Sequence, residues 1–88
     1  MKDERLARAI SASHRRDILR LLIKENLTVK EIASRLGISD SLCCKHLKLL
    51  YDLEIVKVEV KSPFKYYSIK AEGIKELISM FDKVVKRL

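Results

Sequence analysis

The chain has 88 residues, of which 48% are hydrophobic and 35% are charged. This length supports one small domain with one core, and no apolar run approaches the roughly 18 residues that a membrane-spanning helix requires. The N-terminal MKDERLARAI is charged from its second residue. We therefore expect no secretory signal, no membrane partner and a cytoplasmic location. The two cysteines are adjacent in sequence, so they cannot form a disulfide that links distant parts of the fold, and no disulfide framework is expected.

The charge balance favours a polyanionic partner. Lys and Arg total 19 against 12 for Asp and Glu, which gives a net charge of +7. Such an excess is typical of proteins that bind nucleic acid. A lysine-coated surface that serves solubility or heat resistance is the alternative, because the chain has no Gln and a single Asn, Asn26, as in thermophilic proteins. Charge alone leaves both interpretations open.

The first quarter of the chain has helical periodicity. Residues 3–25 carry apolar side chains at spacings of three and four. The patch Ser11-Ala12-Ser13 offers N-caps, which predicts a break near Ser13 and a first helix over residues 3–12.

A pair of short helices follows. Thr28-Val29-Lys30-Glu31 matches the capping box that begins a helix, and Gly37 is typical of a helix end. Ser39 then caps a helix that runs to about Tyr51. Two short helices joined by Gly-Ile-Ser form a helix-turn-helix pattern.

The pattern changes after Asp52. Val56, Val58 and Val60 alternate with charged residues, and residues 65–69 resume the alternation, which predicts a β-hairpin with a loop of about four residues and a basic tip. Residues 71–88 then carry the stripe of an amphipathic helix.

The terminal helices, residues 3–12 and 71–88, have more apolar surface than one small core can cover. We expect them to bury these faces against a second copy in a two-fold homodimer. The predicted interface residues are Leu6, Ile10, Leu77, Phe81, Val84 and Leu88.

Four strings, HRRDILRLL, EIASRLGIS, KHLKLL and KYYSI, resemble the ArsR-type family of prokaryotic regulators. They match, in order, its second helix, its helix-turn-helix, the end of its recognition helix and its second wing strand. The resemblance covers about residues 6–70. It implies a winged helix-turn-helix fold, mainly α with a small β-hairpin, in the order helix-helix-helix-helix-strand-strand-helix, as a single domain over residues 1–88.

The resemblance also implies a function. The chain would be a homodimeric transcription regulator, in many family members a repressor, that binds double-stranded DNA at an inverted repeat. Its recognition helix, residues 39–51, would enter the major groove. Its wing, residues 56–69, would contact the flanking backbone or the minor groove.

The metal sites common in this family are missing from the sequence. Thr28 and Lys30 stand where metal sensors have a Cys-x-Cys pair, and neither is a soft ligand. Residues 71–88 contain no His or Cys. Cys43, Cys44 and His46 point in different directions around a helix, so within one chain they cannot converge on one ion, and a site shared between two chains is the alternative. No metal or other cofactor is predicted.

Another departure lies before the first wing strand, where the family often has Gly and this chain has Glu54. Either the turn geometry differs there, or a residue other than glycine bears a modest conformational cost.

Helical projection assigns the recognition helix two faces. Cys43, Leu47 and Leu50 share the buried face. The opposite face carries polar, cationic and small apolar groups, which suit contacts with phosphates, base edges and thymine methyls. We therefore expect this face to contact DNA. Its candidates are Ser39, Asp40, Ser41, Leu42, Cys44, Lys45 and Lys48. The alternative is that Leu42 packs inside and Lys48 is only solvated.

Further DNA contacts are predicted outside that helix. The wing would reach DNA through Lys57, Lys61, Ser62 and Lys65, although lysines also protect an exposed strand edge from pairing. Thr28 and Lys30 lie at a helix N-terminus, which favours anions such as phosphate, although a plain cap with a solvated neighbour explains them equally well.

Cys44 is also a candidate redox site. Its position early in a helix beside Lys45 and Lys48 favours the thiolate. We hypothesise that oxidation or alkylation of Cys44 weakens DNA binding.

Other functions were weighed against DNA binding. The chain has two histidines and two adjacent cysteines, and no base can be named that would activate a cysteine nucleophile. It has only two glycines and no glycine-rich phosphate loop. We therefore expect that the chain is not an enzyme. The alternatives are a winged-helix module for protein interaction and a nonspecific, chromatin-like DNA-binding protein.

Overall fold

The fold has the predicted order of elements and is that of a winged helix-turn-helix domain. The structure is a computed structural model that describes residues 2–88. None of the helices within these residues is long and apolar enough to cross a membrane. The elements are α1 (Lys2–Ile10), α2 (Ser13–Lys24), α3 (Val29–Leu36), α4 (Asp40–Asp52), β1 (Val56–Lys61), β2 (Phe64–Ile69) and α5 (Ile74–Arg87).

The break between α1 and α2 lies where it was predicted, but its serines do not cap α2. Ala12 occupies the N-cap position, without a side-chain bond. The Ser11 hydroxyl donates to the carbonyl oxygen of Arg8 at 2.9 Å and accepts from the guanidinium of Arg15 at 3.0 Å. The prediction of a serine cap was therefore wrong, because Ser11 bonds to the end of α1 and to Arg15.

The caps of the helix-turn-helix are confirmed. The Thr28 hydroxyl accepts from the Glu31 N–H at 3.3 Å, and the Glu31 carboxylate accepts from the Thr28 N–H at 2.9 Å. Gly37 ends α3 in the left-handed conformation, with φ of 66°. Ser39 accepts from the N–H of Leu42 at 3.0 Å and begins α4. These local bonds begin α3 at Val29, end it at Leu36 and begin α4 at Asp40.

The hairpin is tighter than predicted. Lys61 pairs directly with Phe64, so Ser62 and Pro63 alone form the turn, instead of a loop of about four residues. A short bridge attaches the hairpin to the α2–α3 loop: the Tyr67 N–H donates to the Leu27 carbonyl at 2.7 Å.

The last helix begins later than predicted, at Ile74 rather than Ala71. Gly73 precedes it with φ of 86°, a conformation that a helix cannot include. Ile74 and Ile78 are the α5 residues buried in the core.

One core joins the helices to the base of the hairpin. Val56 is buried there, Val58 is half-buried and Val60 is 66% exposed, so the apolar face of β1 is covered only near its start. The fully buried large side chains are Ile18, Leu19, Leu27, Ile32, Leu47, Leu50, Val56 and Cys43.

Glu54, which precedes β1, has φ of 63°. The turn therefore keeps its left-handed geometry, which was the second of the two alternatives, and a residue other than glycine bears the conformational cost. The Glu54 carboxylate contacts Arg5 at 3.1 Å and Lys70 at 3.4 Å, which ties the turn to α1 and to the segment after β2.

Candidate nucleic-acid interface

The recognition helix, α4, has one buried and one open face, as its projection predicted. Cys43, Leu47 and Leu50 are fully buried. Leu42 is half-buried at the edge between the two faces. The other predicted contacts on this helix are exposed, namely Ser39, Asp40, Ser41, Cys44, Lys45 and Lys48. The exposed side chains lie on one surface and are available to a partner.

The two cysteines have different environments. Cys43 is buried, its Sγ lies 3.8 Å from the Val29 carbonyl oxygen, and burial raises the pKa of its thiol to about 11. Cys44 is exposed on the open face. They do not act as a pair. In the part of the chain that the structure describes, no three His, Cys, Asp or Glu side chains are grouped to hold a metal ion.

Arg15 holds α4 against the end of α1. Its side chain is buried and donates to the carbonyl oxygens of Arg8 at 2.8 Å and Ala9 at 3.2 Å. Its guanidinium also lies 3.2 Å from Nδ1 of His46, on α4. Because the guanidinium is always a donor, Nδ1 accepts and the imidazole carries its proton on Nε2.

The pKa values of this pair follow from its packing. Burial and then the charge of Arg8 lower the pKa of Arg15. Burial lowers the pKa of His46, and the nearby charges of Arg15, His14 and Lys45 lower it further. His46 is therefore held neutral on the recognition helix, with the ring of His14 edge-on at 5.3 Å between centroids.

Sequence reasoning missed Arg8 and Arg15. Arg8 is exposed and lines a cleft together with Leu42, Lys45 and Lys48, so α1 adds a cation to the surface of α4. Arg8 is distant in sequence from these three residues, so no local sequence pattern could reveal that they are neighbours. The position of Arg15 was detectable, because it precedes Ile18, Leu19 and Leu22 at the spacing of the buried α2 stripe.

The wing tip and the start of α3 form a single groove. Thr28, Lys30 and Lys65, which were predicted separately, line it together, and its volume is about 640 Å³. Val29 and Phe64 add apolar walls that were not predicted. Phe64 is 56% exposed. The groove thus combines lysines with an apolar surface.

Within this groove the end of α3 already holds a negative group. The Glu31 carboxylate accepts from the backbone of Thr28, and this bond, followed by the bond with the Thr28 hydroxyl, lowers the pKa of Glu31. The cations Lys30 and Lys65 are therefore better placed to attract phosphate than the helix end itself.

The remaining wing residues lie at its exposed tip. Lys61 and Ser62 are both exposed, and the Lys61 ammonium lies 6.0 Å from the centroid of the Tyr66 ring. On α4, Lys48 lies 3.9 Å from Asp52, one helical turn away, in a solvated contact. Such exposed pairs are weak, so Lys48 stays available to another anion.

The terminal helices leave an apolar surface uncovered. Val84 is 52% exposed and Leu88 fully exposed, together with Met80 and Val85, which were not among the predicted interface residues. The other predicted interface residues, Leu6, Ile10, Leu77 and Phe81, are half-buried.

Two cationic side chains of α2 attach α5 to the domain. Arg16 lies over the Phe81 ring, 5.0 Å from its centroid, and Arg20 contacts Asp82 at 2.6 Å. These surface contacts add to the burial of Ile74 and Ile78, which anchors α5 in the core.

Comparison with known proteins identified several similar chains. Residues 12–58 match the model of the family described as bacterial regulatory protein, arsR family. Over 72 residues the chain is 33% identical to the transcriptional repressor SdpR of Bacillus subtilis, which covers 82% of this chain and 80% of SdpR.

Solved structures show the same architecture. Reduced HlyU from Vibrio cholerae superposes with a TM-score of 0.86 at 26% identity, over 94% of this chain and 87% of HlyU. A homodimeric winged helix-turn-helix DNA-binding domain from Mycobacterium bovis superposes with a TM-score of 0.86 at 24% identity, over 97% of this chain and 79% of that one.

Proposed function

The chain belongs to the ArsR family of bacterial regulatory proteins, and from this premise we propose that it is a homodimeric repressor that binds specific sites on double-stranded DNA. The family consists of DNA-binding transcription regulators rather than enzymes, which agrees with the prediction from the sequence. We place its action in the cytoplasm, the compartment that holds bacterial DNA.

The observation that carries the proposal is the open face of α4. Ser41, Cys44, Lys45 and Lys48 are exposed together on a helix whose other face is fixed in the core. The major groove of B-DNA admits one α-helix, and these side chains suit its phosphates and base edges. Asp40, at the start of the helix, can accept from a cytosine amino group. Ser39 and Leu42 complete the contact surface at its edges.

The wing supports a second contact on the same DNA. In the proposed complex Lys61, Ser62 and Lys65 reach the flanking backbone or the minor groove. Lys30 and Thr28 contact the same phosphate strand from the other wall of the groove. Phosphate contacts of this kind fix orientation and add affinity without reading the sequence.

The homodimer is supported by the uncovered apolar surface of α5 and by the homodimeric domain from Mycobacterium bovis. Repression is supported by the similarity to SdpR, a transcriptional repressor. A two-fold dimer would present its two α4 helices to successive major grooves, so the site should be an inverted repeat.

The test is selection of bound sites from a random duplex library with the full chain. We expect an inverted repeat whose half-sites lie about one helical turn apart. No enriched sequence, with similar affinity for all duplexes, would instead indicate a nonspecific chromatin-like protein. Absence of DNA binding would indicate a protein-interaction module.

A matched pair of variants locates the contact on the selected site. Lys45→Ala should weaken binding and lower the slope of log affinity against log salt by about 2, because each protomer of the dimer loses one phosphate contact. Lys83→Ala removes the same charge from α5, outside the proposed surface, and should leave the slope unchanged. Equal slopes for both variants would exclude Lys45 from the phosphate contacts.

A further inference from the structure

A polar cleft lies on the hairpin, apart from the proposed DNA contacts. Its volume is about 340 Å³, and it is bounded by the end of α2, the two strands and the start of α5. This volume falls in the range of small-molecule sites, which is roughly 300–1,000 Å³. Its polar lining consists of Asn26, Lys57, Glu59, Ser68 and Lys75. Lys57 was among the wing lysines predicted to reach DNA, and the other four residues were not.

Ser68 is the least exposed polar residue of this lining. It is 7% exposed, and its buried Oγ has no hydrogen-bond partner among the residues that the structure describes. Ser68 pairs with Lys57 across the hairpin, so the two side chains share one face of the sheet. A buried hydroxyl without a partner is unfavourable, and such groups are uncommon in folded proteins. A bound molecule that hydrogen-bonds to this oxygen would remove the penalty.

Three charged side chains, Lys57, Glu59 and Lys75, line the cleft together with Ser68. Within residues 2–88, neither Lys57, Glu59 nor Lys75 takes part in an ion pair. Lys57 and Glu59 alternate on β1 and therefore point to the same side of the sheet. The cleft thus presents two ammonium groups and one carboxylate to the same small volume.

We propose that this cleft binds a free amino acid. The ligand carboxylate would contact Lys57 and Lys75, its ammonium group would contact Glu59, and Ser68 and Asn26 would accept or donate the remaining hydrogen bonds. A simple anion would face the Glu59 carboxylate, and a simple cation would face two lysines. A zwitterion satisfies both signs of charge.

The position of the cleft gives the ligand a regulatory role. It is lined by both wing strands and by the start of α5, the helix of the proposed dimer interface. A molecule held between them would set the wing relative to α5 and so alter DNA affinity. This coupling rests on the proposed function, whereas binding of the amino acid does not.

Binding is tested by titrating the ¹⁵N-labelled full chain with each proteinogenic amino acid in turn. We expect at least one to produce saturable shifts of the amide signals of Asn26, Lys57, Ser68 and Lys75. The N-acetylated and carboxyl-amidated forms of the same amino acid should bind at least about tenfold more weakly. No saturable shifts from any of them, or shifts centred elsewhere, would overturn the proposal.

Substitutions then locate the site. Ser68→Ala and Lys57→Ala should each weaken binding by about tenfold or more, and Lys83→Ala, on the same helix as Lys75, should bind as the parent does. Ser68→Ala should not lower the unfolding temperature of the ligand-free protein, since its hydroxyl has no partner. If Ser68→Ala fails to fold, Lys57→Ala and Lys75→Ala, at exposed positions, decide the question. Parent-like affinity in these lysine variants would refute the site.

The coupling has a separate readout, the affinity for the selected DNA site with and without the bound amino acid. We expect a change of about fivefold or more, in the range of typical allosteric coupling. Binding of the amino acid without a change in DNA affinity would refute the coupling alone. Loss of the proposed function would instead appear as absence of DNA binding in both conditions.

Discussion

Arg15 connects the C-terminal end of α1 to the recognition helix through one guanidinium. It satisfies the carbonyl oxygens of Arg8 and Ala9 and donates to His46. A buried cation with this many partners is stable only when each bond is made. The orientation of α4 therefore depends on a contact between residues 31 positions apart in the chain.

The neutral state of His46 predicts a pH dependence of stability. The fold lowers the pKa of His46 below its unfolded value of about 6.5. The unfolded chain therefore binds the proton more readily, and this contribution to stability is complete above the unfolded pKa and is lost as the pH falls through the folded pKa.

In chemical denaturation between pH 8 and pH 5.5, the free energy of unfolding should fall toward the acid end. His46→Asn keeps a hydrogen-bond acceptor for Arg15 but has no imidazole to protonate. The free energy of unfolding of this variant should therefore fall less steeply toward acid pH than that of the parent. Parallel curves for the parent and the variant would show that other groups cause the decline.

Glu54 predicts a stability difference between two small substitutions. Its φ of 63° strains any side chain, and its carboxylate contacts Arg5 and Lys70 only at the surface. Glu54→Ala keeps the strain and loses the contacts, whereas Glu54→Gly loses both. In urea denaturation we expect the free energy of unfolding of the glycine variant to be about 1 kcal/mol higher than that of the alanine variant. An alanine variant as stable as the glycine variant would argue against strain.

At the scale of the element, α4 serves packing and recognition with opposite faces. The buried face sets its position, and the open face carries cations and the Cys44 thiol. The hypothesis that modification of Cys44 weakens DNA binding is still a prediction, and the different exposures of the two cysteines allow it to be tested selectively.

N-ethylmaleimide should add to Cys44 alone, because Cys43 is buried and its pKa is raised to about 11. Mass spectrometry of the native protein would count one adduct. The added bulk on the open face should reduce DNA affinity by about tenfold or more. Cys44→Ser should be insensitive to the reagent, and equal loss of binding in parent and variant would refute the hypothesis.

At the scale of the whole molecule, the exposed apolar surface of α5 can be buried away from water only by a partner. Val84 and Leu88 are exposed beside Met80 and Val85, while Arg16 and Arg20 hold α5 on the domain. A second copy is the partner that we propose, since a two-fold arrangement buries the same surface twice.

Val84→Asp should convert the dimer to monomer in analytical ultracentrifugation. Each dimer would bury two unpaired carboxylates, so the dissociation constant should rise by about a hundredfold or more. Ser79→Asp adds the same charge about 140° around the helix, by the 3.6-residue repeat, and should remain dimeric. A dimeric Val84→Asp protein would place the interface elsewhere.

Local signals in the sequence determined the element order and the caps of the helix-turn-helix. The Thr28 capping box, the left-handed Gly37 and the Ser39 cap depend only on neighbouring residues, and so they could be predicted. The buried face of α4 followed from helical periodicity for the same reason. The ArsR resemblance was confirmed by the family match, whose residues 12–58 include three of the four strings.

Tertiary structure alone decided which distant residues meet. The patch Ser11-Ala12-Ser13 was predicted to cap α2, but Ser11 bonds instead to Arg8 and Arg15, because Arg15 is buried beside it. The groove that joins Lys30 to Lys65 and the unpartnered Ser68 hydroxyl arise only when the hairpin packs on the helices. Periodicity reports the face on which a residue lies, whereas its neighbours across the fold depend on the packing of whole elements.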